Sequence, residues 1–233
     1  MKTQIIQREP DPEPEASAGT ETIEPTGGDR ETWLRRSFFL VAVVGYIVLG
    51  AVHPFEIKVG DETTLYLAIH IVQPLFVLLL AWGIWLLVKD LPGRAAQIAR
   101  IAIVPYAIAY SMLDAIAGIA LGQVVREAND LSAADAAVIQ RVMDAGTDYI
   151  GIVIWVASGL AWFAMALAAA IAVRPIGGRG PTLLMAIGAA IFAVGHPFPP
   201  GPIGIALFGL GVAWLEVRRA RAPVPEAQPV LVP

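Results

Sequence analysis

Long apolar stretches alternate with short polar loops along this chain. Runs of 20 residues or more lie near 33–53, 64–89, 97–123 and 148–173, and two shorter runs lie near 181–196 and 202–218. About 20 apolar residues in a helix cross the hydrocarbon of a bilayer. Only helices and closed barrels satisfy their own backbone there. The pattern therefore predicts an all-α, polytopic transmembrane helix bundle with six transmembrane helices over residues 31–221. The last two runs are separated by His196-Pro-Phe-Pro-Pro-Gly-Pro202, which cannot continue a helix. They read as a hairpin that crosses twice, with a single re-entrant hairpin as the rival. Residues 133–143 have apolar positions at helical spacing and begin with a Ser132/Asp135 capping pattern, which predicts a short helix lying on the membrane face.

Charge orients the bundle. Thirteen of the 16 Lys and Arg residues fall in alternate loops and in the tails, including Arg35, Arg36, Lys89, Arg94, Arg174, Arg179, Arg218 and Arg221. The opposite loops hold only Lys58, Arg126 and Arg141. By the positive-inside rule both termini are cytoplasmic, and Trp33, Trp82, Trp85 and Trp214 mark the inner interface. A bacterial plasma membrane is the expected location. Residues 1–30 are acidic and rich in Pro, and residues 222–233 are short and Pro-rich; both are expected to be disordered tails. No apolar segment follows Lys2 or Arg8, so the start does not read as a signal peptide.

Composition sharpens this picture. The chain is 57% hydrophobic and 15% charged, too little charge for the surface of a soluble domain of 233 residues. It carries no Cys, which removes disulfides, thiolate metal sites and Cys nucleophiles. With a formal charge of -4 and no basic face outside the loops, nucleic acid is not an expected partner; the lipid bilayer is.

Ionisable side chains inside a bilayer cost about 2.5–3.5 kcal/mol each at its centre, so those present carry information. Asp114 in the third run shares a helical face with Ser111, Gly118 and Gly122. The Gly118/Gly122 pair lets another helix come close, either within the chain or in a homo-oligomer. In the second run Tyr66, His70 and Gln73 form one stripe just before Pro74. Counted along ideal helices, His70 lies ~9 Å and Asp114 ~12 Å below the outer ends of their runs, so the two can meet. They are the candidate catalytic or relay pair. Tyr66, Gln73, Ser111 and Tyr46 are candidate ligand-binding residues.

His53 and His196 each end an outward-running helix and are followed by Pro-Phe. They are expected in a shallower layer, separated by ~10 Å from His70 and Asp114. Three His and a carboxylate are zinc-type ligands, so His53, His70, His196 and Asp114 form a candidate metal set. No HExxH, Walker A, GxGxxG after a strand, or GxSxG accompanies them. Three functions follow as expectations. One is an outward-facing polar pocket that binds a metal or a small polar or lipid ligand, including a membrane-embedded hydrolase. Another is a small proton-coupled carrier. The third is a non-catalytic scaffold acting through its tail.

Overall fold

The computed structural model describes residues 27–54, 56–146, 151–195 and 200–221; His196 and both tails lie outside them. These residues are helical, and there is no strand among them. The helices are α1 (Gly27–Val52), α2 (Thr64–Val88), α3 (Arg94–Leu113), α4 (Leu121–Ala128), α5 (Ala133–Gly146), α6 (Ile152–Gly177), α7 (Arg179–Gly195) and α8 (Pro200–Arg221). A π-helical segment, Asp114–Ala120, joins α3 to α4. Five helices are long and apolar enough to cross a membrane, with α3, the π segment and α4 counting as one helix of 35 residues. At 17 residues, α7 is apolar but shorter. The architecture is that of a helical membrane bundle.

The six principal helices close into a ring in chain order, with α8 returning against α1. Neighbours run antiparallel. On α1 and α2, Phe39 meets Gly83 and His53 meets His70. On α7 and α8, Met185 meets Gly211 and Phe192 meets Gly204. On α8 and α1, Phe208 meets Phe39 and Glu216 meets Arg35. Helix direction therefore alternates around the ring.

Apolar side chains face both ways. Leu40, Ile71, Leu78, Ile101, Leu160, Leu183 and Leu210 point outward and are exposed. Aromatic and small residues fill the inside, where Trp162, Tyr106, Tyr110, Phe192 and Phe208 are all but fully buried. Trp162 meets Phe192 edge-on at 5.0 Å and Phe208 at 5.2 Å, and its indole N–H donates to the Ala189 carbonyl at 2.9 Å. Helix association in lipid depends on close packing and interhelical hydrogen bonds rather than on expulsion of water, and this interior supplies both. α7 and α8 meet backbone to backbone: a Cβ at Gly188 would lie 2.4 Å from the Phe208 amide nitrogen. Trp33, Trp82, Trp85 and Trp214 are all exposed, as a girdle facing lipid requires.

The end where α1 starts and α8 finishes is braced by arginines. Arg35 grips Glu216 with two bonds of 3.0 and 3.1 Å; Arg36 adds one at 3.1 Å and Arg219 one at 3.2 Å. Arg100 donates to the carbonyls of Val88, Lys89 and Leu91, closing the end of α2. Arg218 does the same for α6 through the Gly177 carbonyl at 2.8 Å. Cations at helix C-termini satisfy orphan carbonyls and oppose the helix dipole. At this end α1 starts at Gly27, inside the segment expected to be a disordered tail, and Glu31 in its second turn pairs with Lys89 at 3.0 Å.

Candidate functional site

At the opposite end, α1, α2 and the π segment bring three ionisable side chains into one line. His70 Nδ1 lies 2.9 Å from Asp114 Oδ1, and His70 Nε2 lies 3.1 Å from His53 Nε2. His53 Nδ1 in turn faces the Pro54 carbonyl at 2.5 Å. Exposure falls along the line: His53 is half-buried, His70 is 6% exposed and Asp114 is 1% exposed. Asp114 Oδ2 has no hydrogen-bond partner among the described residues.

The helices position these groups through specific close contacts. A Cβ at Gly118 would lie 2.2 Å from His70 Cγ, so the imidazole sits directly on bare backbone. One turn on, Gly122 is covered by Leu67 and Tyr66. The Tyr66 hydroxyl donates to the Ala117 carbonyl, a bond that competes for a carbonyl of the π segment. Insertion of a side-chain donor into the helical ladder is a recognised cause of irregular turns, and π segments recur at functional sites. The Gly118/Gly122 face is thus filled by α2 of the same chain, and a homo-oligomer through it would have to displace that helix.

His53 and His70 do not occupy separate layers; their ring nitrogens are in contact. Helices ending level with one another would put the two ~10 Å apart in depth. The structure offsets those ends. α2 begins at Thr64 and climbs past the last turn of α1, so the end of α1 is level with His70.

The other predicted site residues divide. Tyr66 lies in the site, its ring 4.5 Å from that of His70 and 5.7 Å from that of His53. Gln73 is buried on the same face of α2, one turn further in. Tyr46 lies deeper, its hydroxyl 3.3 Å from that of Tyr106 and its ring edge-on to Phe192. Ser111 is half-buried one turn before Asp114, and its hydroxyl makes no bond to the three-residue line. His196 is outside the described residues. Among those residues no group of three or more His, Asp or Glu side chains has a geometry that could hold a metal ion.

Apolar residues of the α1–α2 loop and the outer helices form a roof beside Tyr66. Ile57, Tyr66, Val125 and Met143 form a small cluster of their own, drawing on the α1–α2 loop, α2, α4 and α5. Polar bonds pin the loop down. Gln140 accepts from the Val59 N–H at 2.9 Å, and Asn129 accepts from the Gly60 N–H while donating to the Asp61 carbonyl. Gly60 has φ of +102°, a turn conformation that disfavours a side chain. Glu62, ahead of α2, is held below the usual carboxylate range by hydrogen bonds from Thr64. Ser132 accepts from the Asp135 N–H, which caps α5.

Hydrogen-bond accounting limits what the line can be. The Pro54 carbonyl can only accept, so His53 Nδ1 carries a hydrogen and His53 Nε2 is an acceptor. With Asp114 ionised, His70 Nδ1 also carries its hydrogen, and two Nε2 lone pairs then oppose each other at 3.1 Å. That contact becomes attractive only if the line holds one further proton. The proton can sit on Asp114, with His70 then donating from Nε2, or it can sit between the two imidazoles. Both forms carry no net charge, which the burial of His70 and Asp114 favours. Comparisons with protein-family models, with curated proteins and with solved structures give no match to this chain.

Proposed function

We propose that this protein is a six-crossing membrane protein with both termini in the cytoplasm of a bacterial cell, and that it works as a small proton-coupled carrier. One observation carries the reading: His53, His70 and Asp114 are joined in series, with both Nδ1 atoms committed to oxygen and both Nε2 atoms facing each other. Such a line accepts a proton at His53 and passes it inward to Asp114. In the inward form the Asp114 hydroxyl donates to His70 Nδ1, and His70 Nε2–H donates to His53. In the outward form Asp114 is ionised and the His pair holds the extra proton. No bond other than O–H and N–H changes. The alternating helix directions and the arginine-braced end support six crossings with the basic end inside. Under that orientation the histidine line opens outward.

A zinc site serving a membrane-embedded hydrolase is the second reading. The two facing Nε2 atoms, with a carboxylate behind His70, resemble one side of a carboxylate–histidine–zinc arrangement. A structural or catalytic site needs a third protein ligand. A divalent ion would also leave the line with net charge in a medium that penalises it.

Nitrogen-15 NMR of histidine-labelled protein in lipid nanodiscs tests the assignment. The proton reading predicts one proton shared between the two Nε2 atoms, seen as a coupling between those nitrogens. Asp114→Asn should freeze that proton on His70 Nε2, because the amide N–H can donate to His70 Nδ1 but cannot be passed on. No coupling between the Nε2 atoms, or spectra identical in the parent and in Asp114→Asn, would remove the reading. Stoichiometric zinc in purified protein, lost in His70→Gln, would establish the second one instead.

A further inference from the structure

The outer surface between α1 and α8 carries a groove of about 730 Å³. Its walls are Leu40, Val43 and Ile47 of α1 and Ala206, Gly209 and Ala213 of α8. The groove exists because the α8 wall is made of small residues at helical spacing; a Cβ at Gly209 would already lie 2.8 Å from Val43. Apart from one end, the lining is apolar.

That end is strongly basic. Arg36, Arg221 and Glu216 line it. Both Glu216 oxygens are engaged by Arg35 and Arg36, and Arg219 adds a further bond, so three guanidinium groups meet one carboxylate. The surplus positive charge has no anionic partner in this cluster. Arg36 is half exposed along its side chain and Arg221 is exposed, so both can turn toward a ligand.

We infer that this groove is a binding site for one anionic phospholipid, with an acyl chain along α8 and the headgroup phosphate between Arg36 and Arg221. The dimensions agree. Ala206 to Arg221 spans ~22 Å along α8, against ~21 Å for half of a bilayer including its headgroups. The groove thus fits a single leaflet with its polar layer. Positive charge at the polar end and apolar walls elsewhere match the two parts of such a lipid. The site is at the opposite end of the bundle from the histidine line and does not depend on what that line does.

Full-length protein in detergent is mixed with dioleoyl phosphatidylglycerol or dioleoyl phosphatidylcholine and examined by native mass spectrometry. One phosphatidylglycerol should bind about 30-fold more tightly than phosphatidylcholine, the factor that two arginines near an anionic headgroup supply. Arg36→Gln with Arg221→Gln should reduce that preference to near unity. Ala213→Trp should block both lipids, and Ala206→Trp, further along the groove, provides a second plug if the first variant folds poorly. Leu183→Trp, an exposed position on α7, should change nothing. Equal binding of the two lipids by the parent protein would overturn the inference. So would unchanged binding in both Trp plugs, or a lipid-free dimer that the plugs dissolve.

Discussion

The two ends of this bundle treat buried charge in opposite ways. At the arginine end every oxygen of Glu216 is paired, and Arg100 and Arg218 close the ends of α2 and α6. At the histidine end Asp114 keeps one oxygen without a partner among the described residues, and two imidazoles meet nitrogen to nitrogen. Both clusters link distant parts of the chain, so both hold the ring together. Only the histidine end sets two like groups nitrogen to nitrogen, so that one added proton would join them. A completed charge network serves as a clasp, whereas an incomplete one can serve as a site.

Mutations should separate these roles. The largest effect on stability is expected at the clasp. Glu216→Ala strips the shared carboxylate from Arg35, Arg36 and Arg219 and leaves a buried guanidinium unpaired. Breaking a buried pair in this way costs about 3–5 kcal/mol, which a thermal melt in detergent will register. Gly118→Val comes next. Its side chain would occupy the volume of the His70 ring, and overpacking of this kind costs about 1–3 kcal/mol. Here a melt and the histidine spectra should change together, because α2 cannot stay in register while His70 moves. If the spectra are unaffected, the close contact between imidazole and backbone is not formed in the membrane.

Asp114→Asn should reverse the balance between stability and chemistry. Asn keeps the shape and one hydrogen bond, so the stability loss should stay within about 1–3 kcal/mol. Proton exchange at the His pair should nevertheless be lost. A large melting shift with intact proton exchange would make Asp114 part of a second clasp and erase the contrast. The smallest expected effect is at the roof. Ser132→Ala removes the α5 cap at a cost of about 0.5–2 kcal/mol. Hydrogen exchange should speed up in Ala133–Gly146 while α2 stays protected.

Much of this layout is legible in residue order. The apolar runs, the basic loops, the Ser132/Asp135 cap and the stripe of Tyr66, His70 and Gln73 all follow from helical periodicity. So does the turn of Asp114 and Gly118 toward another helix. Periodicity within one helix does not fix its height against a neighbour. That is why His53 and His70 read as separate layers when they are in contact. The π segment was hidden for a related reason: the Tyr66 bond to Ala117 comes from a different helix. Glu216 was missed although a signal existed. It is a lone acid at the end of an apolar run, just before Arg218 and Arg219.

The continuous helix from Arg94 to Ala128 has one more consequence. At 35 residues it is ~52 Å long, more than the ~40–45 Å of a whole bilayer with its headgroups. Measured from Arg94, Asp114 comes after ~30 Å, about one full thickness of hydrocarbon. With Arg94 at the inner edge of the hydrocarbon, as the proposed orientation has it, the carboxyl stands near the far edge of the slab rather than at mid-depth. On the carrier reading, proton traffic with the nearer aqueous compartment needs only a gap in the covering loops. Traffic with the other must traverse nearly the entire oily slab, past the plug of Tyr106, Trp162 and Phe192. Any vectorial behaviour of this protein has its hard step in that plug.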